Sequence, residues 1–161
     1  MGKKKENKTN AIRLLEQRNI PYAEYHYTWS DDDLSASPVV SQLPEKNESQ
    51  IFKTLVLVGN RTGPLVAVIP SNQEVDLKKL AKVSDNKKVE LLHLSELEKM
   101  TGYIRGGCSP VGMKKSFPTF IEASAKTFDE IIVSAGRRGL QMGVAPQALL
   151  KVTKGKFVSI I

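Results

Sequence analysis

Ile51-Phe52-Lys53-Thr54-Leu55-Val56-Leu57-Val58, followed by Gly59-Asn60-Arg61-Thr62-Gly63-Pro64 and then Leu65-Val66-Ala67-Val68-Ile69, is the stretch from which the fold can be read. Two runs of β-branched residues and leucine flank a connection bounded by glycines, which predicts two strands joined as a hairpin with a longer loop. Neither run alternates polar with apolar, so both strands are expected to be buried on two sides. Lys53 breaks that pattern by setting an ammonium inside a strand that wants burial, and burying an unpaired charge is costly. Either Lys53 lies near the strand end and carries its amine out to water, or a polar pocket holds it to meet a ligand oxygen. The local sequence leaves both open.

Before the hairpin, Asn10 is the expected cap of a helix through Ala11, Leu14, Leu15 and Arg18, ended by Asn19-Ile20-Pro21. Tyr22 to Tyr27 then alternates, as a half-buried strand does. Ser30 to Ser37 is acidic and serine-rich and reads as a loop. Ser37-Pro38 offers a cap and a first-turn proline for a short helix to Leu43. Beyond the hairpin, Asp76 can cap a helix bearing Leu77, Leu80 and Ala81, and Val89 to Leu92 is a short strand. Ser95-Glu96-Leu97-Glu98 has the spacing of a capping box. Thr119 to Glu122, Glu130 to Ser134 and Phe157 to Ile161 are further strands, with a helix from Pro146 to Val152 before the last. About six strands interleaved with short helices predict a single mixed α/β domain over residues 10–161, behind a loose basic tail at 1–9.

The 161 residues, 40% hydrophobic and 25% charged, suit one core. No stretch approaches the roughly 20 apolar residues of a membrane span, and no apolar segment follows the first lysines as in a secretion signal. Glu6 stands where a myristoylation motif needs Ser or Thr. A single cysteine, Cys108, cannot form an internal bridge, and a cytoplasmic location is expected. The net charge of +7 favours a polyanionic partner such as nucleic acid, without by itself requiring one.

Two further segments could carry chemistry. Gly102-Tyr103-Ile104-Arg105-Gly106-Gly107-Cys108-Ser109-Pro110-Val111-Gly112 lets backbone approach a ligand and aim N–H groups at one oxygen, though plain turns explain most glycine clusters. It fits neither a Walker A loop nor a dinucleotide fingerprint. Ser134-Ala135-Gly136-Arg137-Arg138-Gly139-Leu140 suits a tight turn presenting guanidinium groups to phosphates, and equally a solvated surface turn. Cys108 has no evident base, since His26 and His93 fall on a strand face and beside a helix cap, so a cysteine–histidine nucleophile is not expected. Ligands for a metal are too few, and Asp31-Asp32-Asp33 lacks calcium-loop spacing.

Phe52-Lys53-Thr54-Leu55, Thr101-Gly102-Tyr103, the Gly-Gly-x-Ser-Pro-x-Gly segment from Gly106 to Gly112 with Lys114-Lys115 behind it, and Ser134 to Leu140 together resemble the YbaK/EbsC deacylases, in order and in spacing, from about Asn10 onward. The resemblance implies a mixed sheet curled toward a barrel, and release of an amino acid from the 3′ end of tRNA, most often cysteine mischarged onto proline tRNA. It implies no metal, no cofactor and no protein nucleophile. Lys53 would be the essential ammonium, and Gly106 and Gly107 would present backbone to the ester carbonyl. Tyr27 and Ser134 would line the pocket, with Phe52, Thr54 and Ser109 shaping it. Gly136, Arg137 and Arg138 would meet the tRNA, and Trp29 replaces an aromatic that the family carries at another offset. Gln141-Met142-Gly143 lacks an acidic residue sometimes found there. The tRNA would be recruited alone or through prolyl-tRNA synthetase, by a monomer.

Such chemistry asks little of a protein, because an aminoacyl ester is already activated and needs an oriented attacker and a stabilised oxyanion. Editing is needed because one small side chain differs from another by only a few kcal/mol of binding. Two other functions fit the same basic surface and glycine loop: a module that binds the tRNA end or a synthetase without cleaving, and a transferase holding nucleotide phosphate on residues 106–112.

Overall fold

The computed structural model describes residues 8–161. Eight strands and five α-helices alternate in it: α1 (Asn10–Gln17), β1 (Ala23–His26), α2 (Ser37–Gln42), β2 (Phe52–Gly59), β3 (Gly63–Pro70), α3 (Leu77–Val83), β4 (Val89–Leu91), α4 (Leu97–Thr101), β5 (Thr119–Glu122), β6 (Ile131–Arg137), β7 (Leu140–Val144), α5 (Pro146–Thr153) and β8 (Lys156–Val158). The mixed α/β class is as expected. The single sheet of about six strands is corrected to two sheets, one ordered β4-β2-β3-β5-β8 and one ordered β1-β7-β6. They meet at a lone parallel bridge between Ile51 and Ile132.

The decisive hairpin is present: β2 and β3 pair antiparallel from Phe52↔Pro70 to Gly59↔Gly63. Asn86 closes its loop by accepting the N–H groups of Arg61 and Thr62 on Oδ1, at 2.8 and 3.0 Å. β3 is buried on both faces, with Val66 and Val68 in one apolar cluster and Leu65, Ala67 and Ile69 in another. β2 is two-sided only in its middle, because Val58 is exposed and Lys53, Thr54 and Leu55 are half-buried at its start. Beyond β3 the sheet turns parallel: β5 pairs with β3 and β8 with β5.

The first cluster fills the space between the sheets, where Ala11, Ile12 and Leu15 of α1 and Leu149 of α5 meet Val56, Ile121, Val133 and Met142. Burial of each such side chain contributes about 1.5–3 kcal/mol. Thr9, counted with the tail in the sequence reading, is the true cap of α1. Its Oγ1 accepts from the N–H of Ile12 and donates to the carbonyl of Ala135, pinning α1 to β6. Lys8 of the same tail pairs with Glu16 of α1, and residues 1–7 lie outside the described residues.

Other caps also differ. α2 begins at Ser37 with Ala36 before it and no side-chain cap, although Pro38 sits in its first turn as expected. The Ser95 box does not form. His93 accepts the N–H of Ser95 and starts a 3-10 turn at Leu94–Glu96, and α4 follows from it without a side-chain cap. Asp76 caps α3 as expected, accepting from Lys78 and Lys79.

Candidate active site

The start of β2 is where the two sheets diverge, and a cleft of about 550 Å³ opens there. Ile51 to Leu55 form one wall, Leu34 to Ala36 with α2 a second, and Arg105, Gly106 and Cys108 a third, while Tyr27, Glu48, Ser71, Ser134 and Gln141 complete the lining. Each wall has a local cause. Ser71 ends β3 with its N–H on the carbonyl of Ile51 at 2.7 Å, which holds the strand end beside β2. Gly106 has φ of +85°, open to glycine at little cost, and this turns the loop into the cleft. Ser134 and Gln141 are cross-strand partners in the β6–β7 hairpin, whose ladder breaks between Ser134 and Arg137.

Of the residues singled out from the sequence, Lys53, Gly106, Tyr27, Phe52, Thr54 and Ser134 come together around this cleft. Lys53 is half-buried opposite Ile69, and among the described residues no hydrogen bond or ion pair engages its amine. Arg105 adds a second cation, and among the described residues Glu48 is the one carboxylate of the lining.

The others stand behind or beside the cleft. Gly107 corrects the expected pair of backbone donors: its N–H is committed to the carbonyl of Ile104 at 2.9 Å. Its lack of a side chain serves packing, because a Cβ would lie 2.9 Å from the Cα of Arg137 and 3.0 Å from the N of Arg138. Ser109 is fully buried and accepts the N–H of Val111 at 3.2 Å, so it holds the loop from behind. Trp29 is 42% exposed, stacked on the Arg138 guanidinium 5.2 Å from the ring centre. Arg138 also donates to the carbonyl of Arg105 at 2.9 Å and to Asp31 at 3.3 Å. The guanidinium expected to face phosphate thus ties the Trp29–Asp33 loop to the glycine loop. Gly136, with φ of +105°, passes against Tyr103 and Thr9, and Arg137 leads into the turn.

Sequence reasoning missed Ser71 and Gln141. Ser71, like the expected Thr54, carries a buried hydroxyl with no hydrogen-bond partner among the described residues, and both line the cleft. Gln141 is only 6% exposed and its side-chain amide has no partner among the described residues. Buried polar groups are nearly always paired, so such groups at a cleft signal a ligand that completes them. No single-sequence feature marks Ser71. Gln141 stands out in the sequence only where an acidic residue is lacking, and its inward place on β7 follows from the strand pairing with Ser134.

Cys108 lines the cleft as a thiol. Burial pushes it up to about 12, against a pull from a hydrogen bond with Thr101. At neutral pH it is neither thiolate nor nucleophile. No group of three or more His, Cys, Asp or Glu able to hold a metal occurs among the described residues, and none of their helices is long and apolar enough to cross a membrane.

The sequence model of one family, the aminoacyl-tRNA editing domain, matches residues 33–152. EbsC of Enterococcus faecalis, named for a proposed Cys-tRNA(Pro)/Cys-tRNA(Cys) deacylase activity, is 60% identical over 161 residues, covering 99% of this chain and 98% of its own. Two crystal structures share the fold at low identity. The hypothetical protein APE2540 has a TM-score of 0.84 at 18% identity, over 94% of this chain and 98% of the other. A proposed trans-editing enzyme for prolyl tRNA synthetase has a TM-score of 0.79 at 21% identity, over 96% and 98%.

Proposed function

The chain belongs to the aminoacyl-tRNA editing domain family, and from that premise we propose how its cleft releases a wrong amino acid. It is a trans-editing aminoacyl-tRNA deacylase. Its substrate is cysteine carried by proline tRNA, the first of the two substrates in the name of the 60% identical EbsC. The observation that carries the mechanism is the unpaired amine of Lys53 in the same cleft as the Gly106 turn.

In this reading the 3′-terminal ester enters with its carbonyl oxygen toward Lys53 and the N–H groups of Gly106 and Cys108. Neither N–H is bonded to another described residue, whereas that of Gly107 is. As the attacking group adds, the carbonyl oxygen takes up negative charge, and a preplaced ammonium with one or two N–H donors lowers the barrier by several kcal/mol. The ester C–O bond then breaks and the ribose oxygen leaves with a proton. The attacker comes from outside the protein, because the cleft's thiol is held protonated. It is either water, which the neighbouring ribose hydroxyl can orient and which gives the free amino acid, or the substrate's own thiolate, which closes on the carbonyl to a cyclic thioester while the ribose oxygen takes its proton from water. Thr54, Ser71 and Gln141 offer their unpaired polar groups to the amino acid, with Tyr27 and Phe52 as apolar walls.

Recruitment of the tRNA through prolyl-tRNA synthetase, a cytoplasmic setting and a monomeric state belong to the same proposal. The deciding experiment is a panel of tRNAs charged with cysteine, alanine or proline, incubated with the purified chain with and without that synthetase. Rapid loss of cysteine from proline tRNA, with Pro-tRNA(Pro) spared, is expected. Binding of the acceptor end with every ester left intact would turn the protein into a binding module.

A further inference from the structure

A second concavity of about 270 Å³ lies on the other side of the glycine loop, lined by Pro110, Val111 and Gly112 of that loop, Lys115 to Phe117, Thr119, and the ends of α1 and α5. Arg18, Lys115 and Lys154 frame it, and among the described residues no carboxylate takes part in its lining. All three cations are exposed, and none has a hydrogen-bonded or ionic side-chain partner among the described residues. Five other basic side chains pair with carboxylates, Lys8 with Glu16, Lys46 with Glu130, Lys88 with Glu90, Lys99 with Glu96 and Arg138 with Asp31, so what sets these three apart is that they gather around one concavity.

We propose that this pocket seats backbone phosphates of the tRNA whose ester lies in the main cleft, a proposal that rests on the deacylase reading. Position supports it. Lys53 pairs with Ile69 and Thr119 with Val66, which sets the backbone of Thr119, in the pocket wall, about 14 Å from the backbone of Lys53 by ordinary strand spacings. A polynucleotide entering the cleft by its 3′ end carries phosphates over that distance within its first few nucleotides. Charge supports it as well: in a chain of net charge +7, these three cations share one concavity, where counterion release would strengthen association. Arg18 and Lys154 also follow the last turns of α1 and α5, where a cation complements the helix dipole. That role leaves Lys115, which caps no helix, unaccounted for.

The test is the triple variant Arg18→Gln, Lys115→Gln, Lys154→Gln in the full chain, beside a control with Lys78→Gln, Lys82→Gln and Lys87→Gln. Each is assayed on full-length cysteinyl-tRNA(Pro) and on a cysteinylated CCA trinucleotide, and binding of full-length tRNA is titrated at several salt concentrations. The expected result is roughly tenfold weaker binding of full-length tRNA, a salt slope shallower by about 2, and an unchanged rate on the trinucleotide. An unchanged affinity and slope, an equal loss in the control, or an equal loss on the trinucleotide would overturn the proposal. Failure of the native chain to deacylate either substrate would overturn the deacylase reading instead, while the binding titration would still decide the pocket.

Discussion

Ser134 on β6 and Gln141 on β7 are direct cross-strand partners, and both line the cleft that holds Lys53. Opposed residues of an antiparallel pair point to one face of the sheet, so the hairpin delivers a hydroxyl and an amide to the same wall. The amide has no partner among the described residues, and neither has the buried Thr54 hydroxyl. The Thr54 hydroxyl, sealed from solvent, costs the free protein about 1–3 kcal/mol.

Thr54→Val removes that cost along with the recognition it serves, and Gln141→Leu removes a recognition group and extends the apolar wall. Melting temperature is expected to stay level or rise in both, while KM for cysteinyl-tRNA(Pro) rises about tenfold, the weight of one hydrogen bond to substrate. Thermal melts beside steady-state deacylation check this. A fall in stability with KM unchanged would mean that the groups serve the fold.

Gly107→Ala forces a methyl group onto the backbone of Arg137 and Arg138, at 2.9–3.0 Å. Backbone cannot turn aside as a side-chain tip can, so the loop and the β6 turn must part. A loss of about 1–3 kcal/mol is expected, seen as a melting temperature lower by several degrees. Deacylation should fall with it, since Gly106 and Cys108 ride on the same loop.

Cys108 gives a prediction in pH. Its thiol is raised from about 9 to about 12, so the folded state holds a proton that the unfolded state releases first. The thiol's contribution to stability is therefore whole below pH 9 and lost as pH climbs toward 12. Cys108→Ala should flatten the alkaline fall in stability, as followed by denaturant unfolding at stepped pH. In the native chain at pH 8, alkylation by iodoacetamide should be far slower than in urea. Cys108→Ser should keep deacylation within about tenfold, whereas removal of a true nucleophile costs on the order of 10⁶.

Where side-chain periodicity alone decides, the sequence was legible: the β2–β3 hairpin, β5 from Thr119 to Glu122 and the cap at Asp76 stand where the residues indicate. β7 was not legible, because Gln141 and Gly143 interrupt its apolar positions. Gly143 is there because a Cβ would collide with the carboxylate of Glu130 and meet the Tyr25 ring, a contact between segments far apart in sequence. The caps at Thr9 and His93 displaced better-looking candidates, Asn10 and Ser95, for reasons that tertiary contacts set. Thr9 is held by the carbonyl of Ala135. The site divides similarly. Lys53 announces itself as a charge in an apolar strand, but the commitment of the Gly107 N–H and the engagement of Arg138 depend on loop geometry that spacing does not carry.

The most direct measurement is the deacylation rate of Lys53→Met on cysteinyl-tRNA(Pro), taken with its melting temperature. The methionine keeps the shape of the chain and removes the ammonium. The expected result is kcat/KM lower by about 10² to 10³, the weight of one oxyanion contact, at an unchanged or higher melting temperature. A folded variant that cleaves the ester at the native rate would contradict the account.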